Sequence, residues 1–306
     1  MFGLILAAVS SAFGEVSDTI GKKTVQSRLE SYYTFGFLNL FFGSVFLGLY
    51  AVWSGNFFFS MASLPFFLPR LALEIIQAHV SVIAIVRADR SDFSFIKMLT
   101  IPLLLVVDMI SGYAISPLQI LGIVLILGTA FTLYSIENYK TKAFWLILFT
   151  AVNAVATISL YKYDISHFNS VTAEQGIVSV VLTLYFFFLA TFKARENPLS
   201  FIRHPARILQ STSSGLSGVV ASFAYAFAPA VIVTTALRAF AVLFSIISGR
   251  FYFQEKRFFA KALLFLIITA GLILLVPLEA GRGRVEFTKL MSLYAGDSTH
   301  HGQISQ

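Results

Sequence analysis

Asp108 stands in the run IPLLLVVDMISGYAIS, residues 101–116, with Ser111 and Gly112 at i+3 and i+4 on the same helical face. A carboxyl in so apolar a stretch loses its water, which favours the neutral acid and suits it to trade a proton or bind a cationic group. The plainer reading is a protonated acid that hydrogen-bonds a neighbouring helix as structural glue. Glu15 has Ser11, Asp18, Thr19 and Lys22 at −4, +3, +4 and +7, one polar stripe on an otherwise apolar helix. It is either a second working carboxylate or an acid near the interface that pairs with Lys22. Arg70, Glu74, Gln77 and Ser81 recur at helical spacing in PRLALEIIQAHVS, where Arg70–Glu74 is an i,i+4 ion pair near the surface. His79 lies off that stripe and reads first as a neutral, hydrogen-bonded histidine. Arg238 has the planar fork to hold a carboxylate or phosphate, or to neutralise Glu74, Glu174 or Asp108. Glu174 itself begins an apolar segment, where a cap or an interfacial position is the default. Asn153 and Tyr225 complete the candidates as polar groups able to line a cavity.

These residues need helices in lipid to position them. The chain has 306 residues, 57% hydrophobic and 12% charged, with a mean hydropathy of +0.81. A soluble domain carries roughly 25% charged residues, so this much apolar surface requires a bilayer. With no cysteine, disulfides, thiolate metal sites and Cys nucleophiles are excluded. The net charge of +7 sits in short connections and forms no basic groove, which argues against nucleic-acid binding. No phosphate-binding loop, zinc-hydrolase motif or serine-hydrolase elbow occurs, so neither an enzyme nor a cofactor is expected. The pair His300–His301 reads as solvated and not as a metal site.

At about 20 residues per span, ten spans are predicted: Phe2–Ile20, Tyr32–Trp53, Leu71–Val86, Met98–Ala114, Leu118–Ile136, Phe144–Tyr163, Val171–Phe192, Leu209–Ala228, Ile232–Phe251 and Phe258–Val276. The first is read as a span and not a cleaved signal, because no basic residue precedes Lys22. Residues 281–306 read as a loose polar tail. The odd connections and their flanks hold Lys22, Lys23, Arg28, Arg87, Arg90, Lys97, Lys140, Lys142, Lys193, Arg195, Arg203, Arg207, Arg250, Lys256, Arg257 and Lys261. The even ones, the helices facing them and the tail hold only Arg70, Lys162, Arg238, Arg282, Arg284 and Lys289. Basic loops stay inside, so the odd connections are expected in the cytoplasm and both termini outside. On this reading the basic connections report topology, not chemistry. In the eighth span Ser214, Gly218, Ser222 and Ala226 recur every four residues, a small face that admits a close helix neighbour.

The two halves echo one another. FGLIL at residues 2–6 matches FWLIL at residues 144–148, and ISG at residues 110–112 matches ISG at residues 247–249. Residues 1–138 and 143–278 thus read as two five-helix copies, and an odd number of spans inserts the second copy upside down. Inverted repeats of this kind are characteristic of secondary transporters, with the solute bound where the halves meet. The segment ALRAFAVLFSIISGRFYFQEKRFFAKALLFLIITAGLILL, with Gly249, Glu255 and Gly271, resembles the last two helices of EamA-type members of the drug/metabolite transporter superfamily. The first-half counterpart keeps Gly112, Gly122 and Gly128 but lacks the acid. Many members of that family are described with both termini in the cytoplasm, and the charges here point the other way. EVSDTIGKK, with Glu15, Val16, Thr19 and Lys23, is similar to the first helix of small multidrug-resistance proteins.

The resemblance implies an all-α integral membrane protein of the cell (inner) membrane that moves a small polar or amphipathic metabolite by alternating access. Proton coupling through Asp108, Glu15 or both is a further expectation. An integral-membrane enzyme or lipid-handling protein, with the same carboxylates working on a lipid-linked substrate, is the alternative. A membrane partner or assembly factor without a cavity is the third reading. The expected partners are a small-molecule solute, the lipid bilayer and protons; solute identity and oligomeric state are not legible.

Overall fold

A computed structural model describes residues 2–55, 57–110, 116–136, 141–227 and 230–275. The described residues form twelve α-helices and no strand. They are α1 (Phe2–Gln26), α2 (Tyr32–Ser54), α3 (Leu64–Arg87), α4 (Arg90–Lys97), α5 (Thr100–Ile110), α6 (Pro117–Ile136), α7 (Thr141–His167), α8 (Val171–Phe188), α9 (Pro198–Phe201), α10 (Pro205–Phe227), α11 (Ala230–Phe253) and α12 (Phe258–Leu275). Among the described residues, six helical stretches are long and apolar enough to cross a membrane: Phe2–Gln26, Tyr32–Ser54, Met61–Arg87, Ala143–His167, Val171–Lys193 and Thr235–Phe253. Large apolar side chains such as Val52, Trp53, Phe131 and Phe259 stay exposed on the helix surfaces, as a lipid-facing exterior requires. The chain is a multi-pass membrane protein by these features.

Each predicted span overlaps a helix among the described residues, although only six stretches are long and apolar enough to cross a membrane, and several boundaries move. Helix α3 starts at Leu64 and not Leu71, because Pro65 lies in its first turn and Pro69 costs one backbone bond without ending it. Helix α7 runs on to His167, past the predicted end at Tyr163, and carries Asp164 into the bundle. Helix α4 lies between the predicted third and fourth spans, in a segment read as a loop. Its buried Phe93, Phe95 and Ile96 anchor it against the bundle. Helix α8 ends in one π-helical turn, Leu189–Lys193. Caps are local and polar: Ser31 accepts from the Thr34 N–H and Ser170 from the Ala173 N–H. Gly55 ends α2 at φ 62°, a left-handed cap that glycine adopts without strain.

The centre of the bundle is α1, which packs against α10, α11, α2 and α3. Its small residues allow the approach. Ser10 Oγ donates to the Ser217 carbonyl at 2.8 Å and Ser217 Oγ donates back to the Ser10 carbonyl at 2.8 Å. Ser11 Oγ reaches the Leu237 carbonyl of α11 at 3.0 Å, and Ser17 Oγ reaches Asn39 of α2 at 2.9 Å. Each bond returns a hydroxyl to a backbone or amide partner where lipid offers none. On α10 the close contacts fall at Ser214, which donates to the Asn39 carbonyl at 2.7 Å, at Gly215 against Phe46, and at Ser217. The predicted small face was 214, 218, 222 and 226. Gly218 instead has no atom within 4 Å of where a Cβ would stand, and the side chains of Ser222 and Ala226 lie outside the described residues. Further pairs are α6 with α12, α2 with α8, α3 with α7 and α2 with α10.

Contacts orient the helices. Lys22 and Gln26, near the end of α1, donate to the Ala88 and Val86 carbonyls at the end of α3. Arg207 at the start of α10 meets Glu30 just beyond α1. The end of α11 and the start of α12 reach the same place through Ser248 and Lys261. This is the basic end. At the far end, the start of α3 meets the end of α7 and the start of α8 through Arg70, Asp164 and Glu174.

Candidate functional site

At the basic end, α4 and α11 converge on Glu15 of α1. Arg90 donates to it through both sides of its fork, Nε to Oε1 at 3.0 Å and Nη2 to Oε2 at 2.7 Å, and Nη2 also reaches Asp18 Oδ2 at 3.0 Å. Thr19 Oγ1 donates to Oε1 at 3.2 Å, and Ser248 Oγ of α11 donates to the same oxygen. Glu15 therefore pairs with Arg90 and not with Lys22, correcting the expected partner. Lys22 is buried too, with its ammonium on the Ala88 carbonyl and 4.7 Å from the Phe253 ring centroid.

Beside this pair lies a second group. Gln254 and Arg257 both adopt left-handed backbone, φ 54° and 59°, and the tight turn folds Glu255 back so that its N–H donates to the Gly249 carbonyl at 2.9 Å. A Cβ at position 249 would stand 2.6 Å from the Glu255 carboxyl, so only glycine permits the fold-back. Glu255 accepts the Arg90 backbone N–H and the Ser91 hydroxyl. Lys261 completes the group, 2.9 Å from Asp92, 3.2 Å from Glu255 and 2.8 Å from Ser91 Oγ. Burial, offset in part by Lys261, pushes the Asp92 carboxyl up to about 6. Glu30, outside the spans, is also raised by burial, against the pull of Thr24 Oγ1 at 2.6 Å and Arg207 Nε at 3.2 Å.

Basic connection residues were expected to be solvated topology markers. Arg90, Lys261 and Arg207 are instead buried and paired, because the connections fold into the bundle as α4 and tight turns. In sequence, RSD after a loop aspartate offers no sign that the arginine turns inward.

At the far end, Arg70 is 1% exposed and donates through Nη1 to Glu174 at 2.5 Å. The expected i,i+4 partner, Glu74, is 3.9 Å away, so the inter-helix pair is the close one. Glu174 is 0% exposed, which corrects its reading as a cap or interfacial acid; Ser170 is the cap. Asn169 Nδ2 supplies Glu174 with a second donor at 2.6 Å, and the Arg70 guanidinium lies 4.6 Å from the Tyr161 ring centroid. Asp164 joins them, unforeseen because the predicted span stopped one residue short of it.

Between the two ends, Asn153 donates to Gln77 Oε1 at 2.9 Å and to the Leu73 carbonyl at 3.0 Å, tying α7 to α3. His79 Nδ1 lies 2.9 Å from the Tyr185 hydroxyl, with the rings of Tyr33 and Phe186 around it. Glu74, Asp18, Lys97 and Arg238 are half-buried. Burial first, then the charge of Arg238, lowers Lys97 to about 8, with Asp18 and Glu74 acting in the opposite sense. Arg238 is thus within electrostatic reach of Lys97, a cation. Asp108 and Tyr225 fall in α5 and α10, but their side chains lie outside the described residues, as do Ser111, Gly112 and the whole tail with His300–His301. No group of three His, Asp or Glu side chains among the described residues has the arrangement of a metal site.

No protein-family model matches the chain, and no curated protein matches it either.

Proposed function

We propose that the chain is a secondary transporter of the drug/metabolite type, EamA-like, in which ten spans form two inverted five-helix halves and move a small polar or amphipathic metabolite by alternating access. The observation that carries this reading is a buried ionic cluster at each end, each joining the two halves. At the basic end Glu15, Arg90 and Asp92 of the first half meet Ser248, Glu255 and Lys261 of the second. At the far end Arg70 of the first half meets Asp164 and Glu174 of the second. Clusters that must part and re-form at alternate ends are what a rocking carrier needs, with both ends closed in this arrangement. A charged group left unpaired in the membrane costs too much to be kept as filler.

Packing supports the inverted halves. Exchanging α1 with α7, α2 with α8, α3 with α10, α5 with α11 and α6 with α12 turns the α1–α10 contact into α7–α3, and α1–α11 into α7–α5. It returns α2–α8 and α6–α12 to themselves. These pairs are all present, as a two-fold axis in the membrane plane demands; α3–α8, the image of α10–α2, is slighter. The interior between the clusters carries both signs, Lys97 and Arg238 with Asp18 and Glu74, which suits a solute bearing an acidic group or both charges.

The test is flux into proteoliposomes of purified protein, with solutes first screened by thermal shift. Saturable uptake that falls at least tenfold in Arg90→Gln, with the protein still folded, is the expected result. Folded protein that moves none of the solutes it binds overturns the proposal. Asp108→Asn and Glu15→Gln, singly and together, are expected to change the pH dependence of uptake; unchanged profiles rule both out as proton carriers.

A further inference from the structure

Among the described residues, Asp164 is the one acid at the far end that the ion pairs do not explain. Its side chain is 0% exposed, and neither carboxylate oxygen accepts a hydrogen bond from any donor among the described residues. Its carboxyl faces that of Glu174. The groups around it are few. Helix α3 presents Arg70, whose fork has Glu74 3.9 Å away, and α8 presents Glu174. On α7 itself, Tyr161 lies over Arg70, and His167 is exposed, stacked on Tyr163 at 4.4 Å. The described side chains thus set one guanidinium against three carboxyls, and the short Arg70 contact is already committed to Glu174.

Burying a bare carboxylate without a donor costs so much that the group takes up a proton instead. Two carboxyls in contact share that requirement as a pair, since one cannot ionise fully beside the other. Glu174 accepts from Arg70 on Oε1 and from Asn169 on Oε2, so it is built to be the charged member. Each of its oxygens keeps a second lone pair. We infer that Asp164 and Glu174 hold one proton between them in this closed arrangement, and that the pair is where a coupling proton boards the carrier. The Asp164 O–H donates to a Glu174 oxygen. When the far end opens, water replaces that contact, the O–H bond breaks to water, and the negative charge left on Asp164 is solvated. Closing the end again requires the proton back. This rests on the transport reading and adds a coupling residue at the far end to Asp108 and Glu15.

The experiment is infrared spectroscopy of full-length protein in nanodiscs, titrated across neutral pH, with wild type, Asp164→Asn and Glu174→Gln. The wild type is expected to show a protonated-carboxyl C=O band at neutral pH that Asp164→Asn loses. Glu174→Gln removes the neighbouring charge and is expected to move the disappearance of the band to lower pH. It carries the test if Asp164→Asn does not fold. Absence of the band, its full retention in Asp164→Asn, or an unmoved titration in Glu174→Gln overturns the shared proton. A band that comes and goes with sodium at fixed pH also overturns it, in favour of a bound cation. The spectra need no solute, so inactive proteoliposomes sink the transport reading while leaving the acid pair standing. If flux is found, Asp164→Asn is expected to change its pH dependence, and a wild-type pH profile in that variant overturns the coupling role.

Discussion

Arg90 shows how one side chain can decide a membrane protein's stability. Its guanidinium makes two bonds to Glu15 and one to Asp18, all within the bundle. Lysine carries the charge but not the fork, so Arg90→Lys is expected to be no rescue of Arg90→Gln. Removing one partner of a buried pair strands the other, at a cost of roughly 3–5 kcal/mol. Arg90→Gln is therefore expected to lower the thermal transition by many degrees in detergent, and Arg90→Lys to restore under half of the loss. Asp92 gives a test by pH. Its carboxyl is raised from an ordinary 3.8 to about 6, so the folded chain binds more protons than the unfolded chain between those values. Stability then falls as pH rises through that window: the burden is absent below it and complete above about 6. Asp92→Asn is expected to look better against wild type at pH 7.5 than at pH 4.5 in thermal shift, and an equal difference at both would refute the assignment.

Helices here are held by small residues where they cross. A methyl group on Gly21 would fall within the Phe35 ring, and one on Gly36 against the Phe186 ring. Both neighbours are fully buried, so neither ring can swing away. Gly21→Ala and Gly36→Ala are each expected to cost about 1–3 kcal/mol by overpacking, whereas Gly218→Ala, in open space, is expected to be neutral; detergent unfolding curves separate them. The long apolar helices were legible from their runs of hydrophobic residues, and the short α4 and α9 were not. Their ends were not. Proline at position 69 reads as a stop in sequence, yet a spanning helix tolerates it. Of the site, Glu15 and its stripe were visible from spacing alone, and His79 and Asn153 have the modest hydrogen-bonding roles their types suggest. Glu255 stood out only through a resemblance, and Arg90, Lys261 and Asp164 stayed hidden because each lies near a helix end, where sequence cannot tell a side chain that turns inward from one that turns to water.

At the scale of the molecule, the described basic connections gather at one end, and ion pairs join residues far apart in the chain. A reporter fused behind residue 306 is expected to be inactive in the cytoplasm, and one placed between α6 and α7 active there; the reverse pattern would invert the proposed orientation. The absence of cysteine makes the halves easy to probe. Ser10→Cys with Ser217→Cys, whose hydroxyls are 3.3 Å apart, is expected to cross-link under oxidant across the α1–α10 contact. Sequence separation in the far cluster bears on how the protein is made. Arg70 leaves the ribosome 104 residues before Glu174, and until Asp164 is made its nearest acid among the described residues is Glu74, at longer range. Ser248, Glu255 and Lys261 arrive later still. A half-synthesised chain therefore sits in the translocon's neighbourhood with charges its own half cannot neutralise. Truncated or stalled products should be prime substrates for membrane proteases, and the bilayer itself becomes the proofreader that only a finished molecule satisfies.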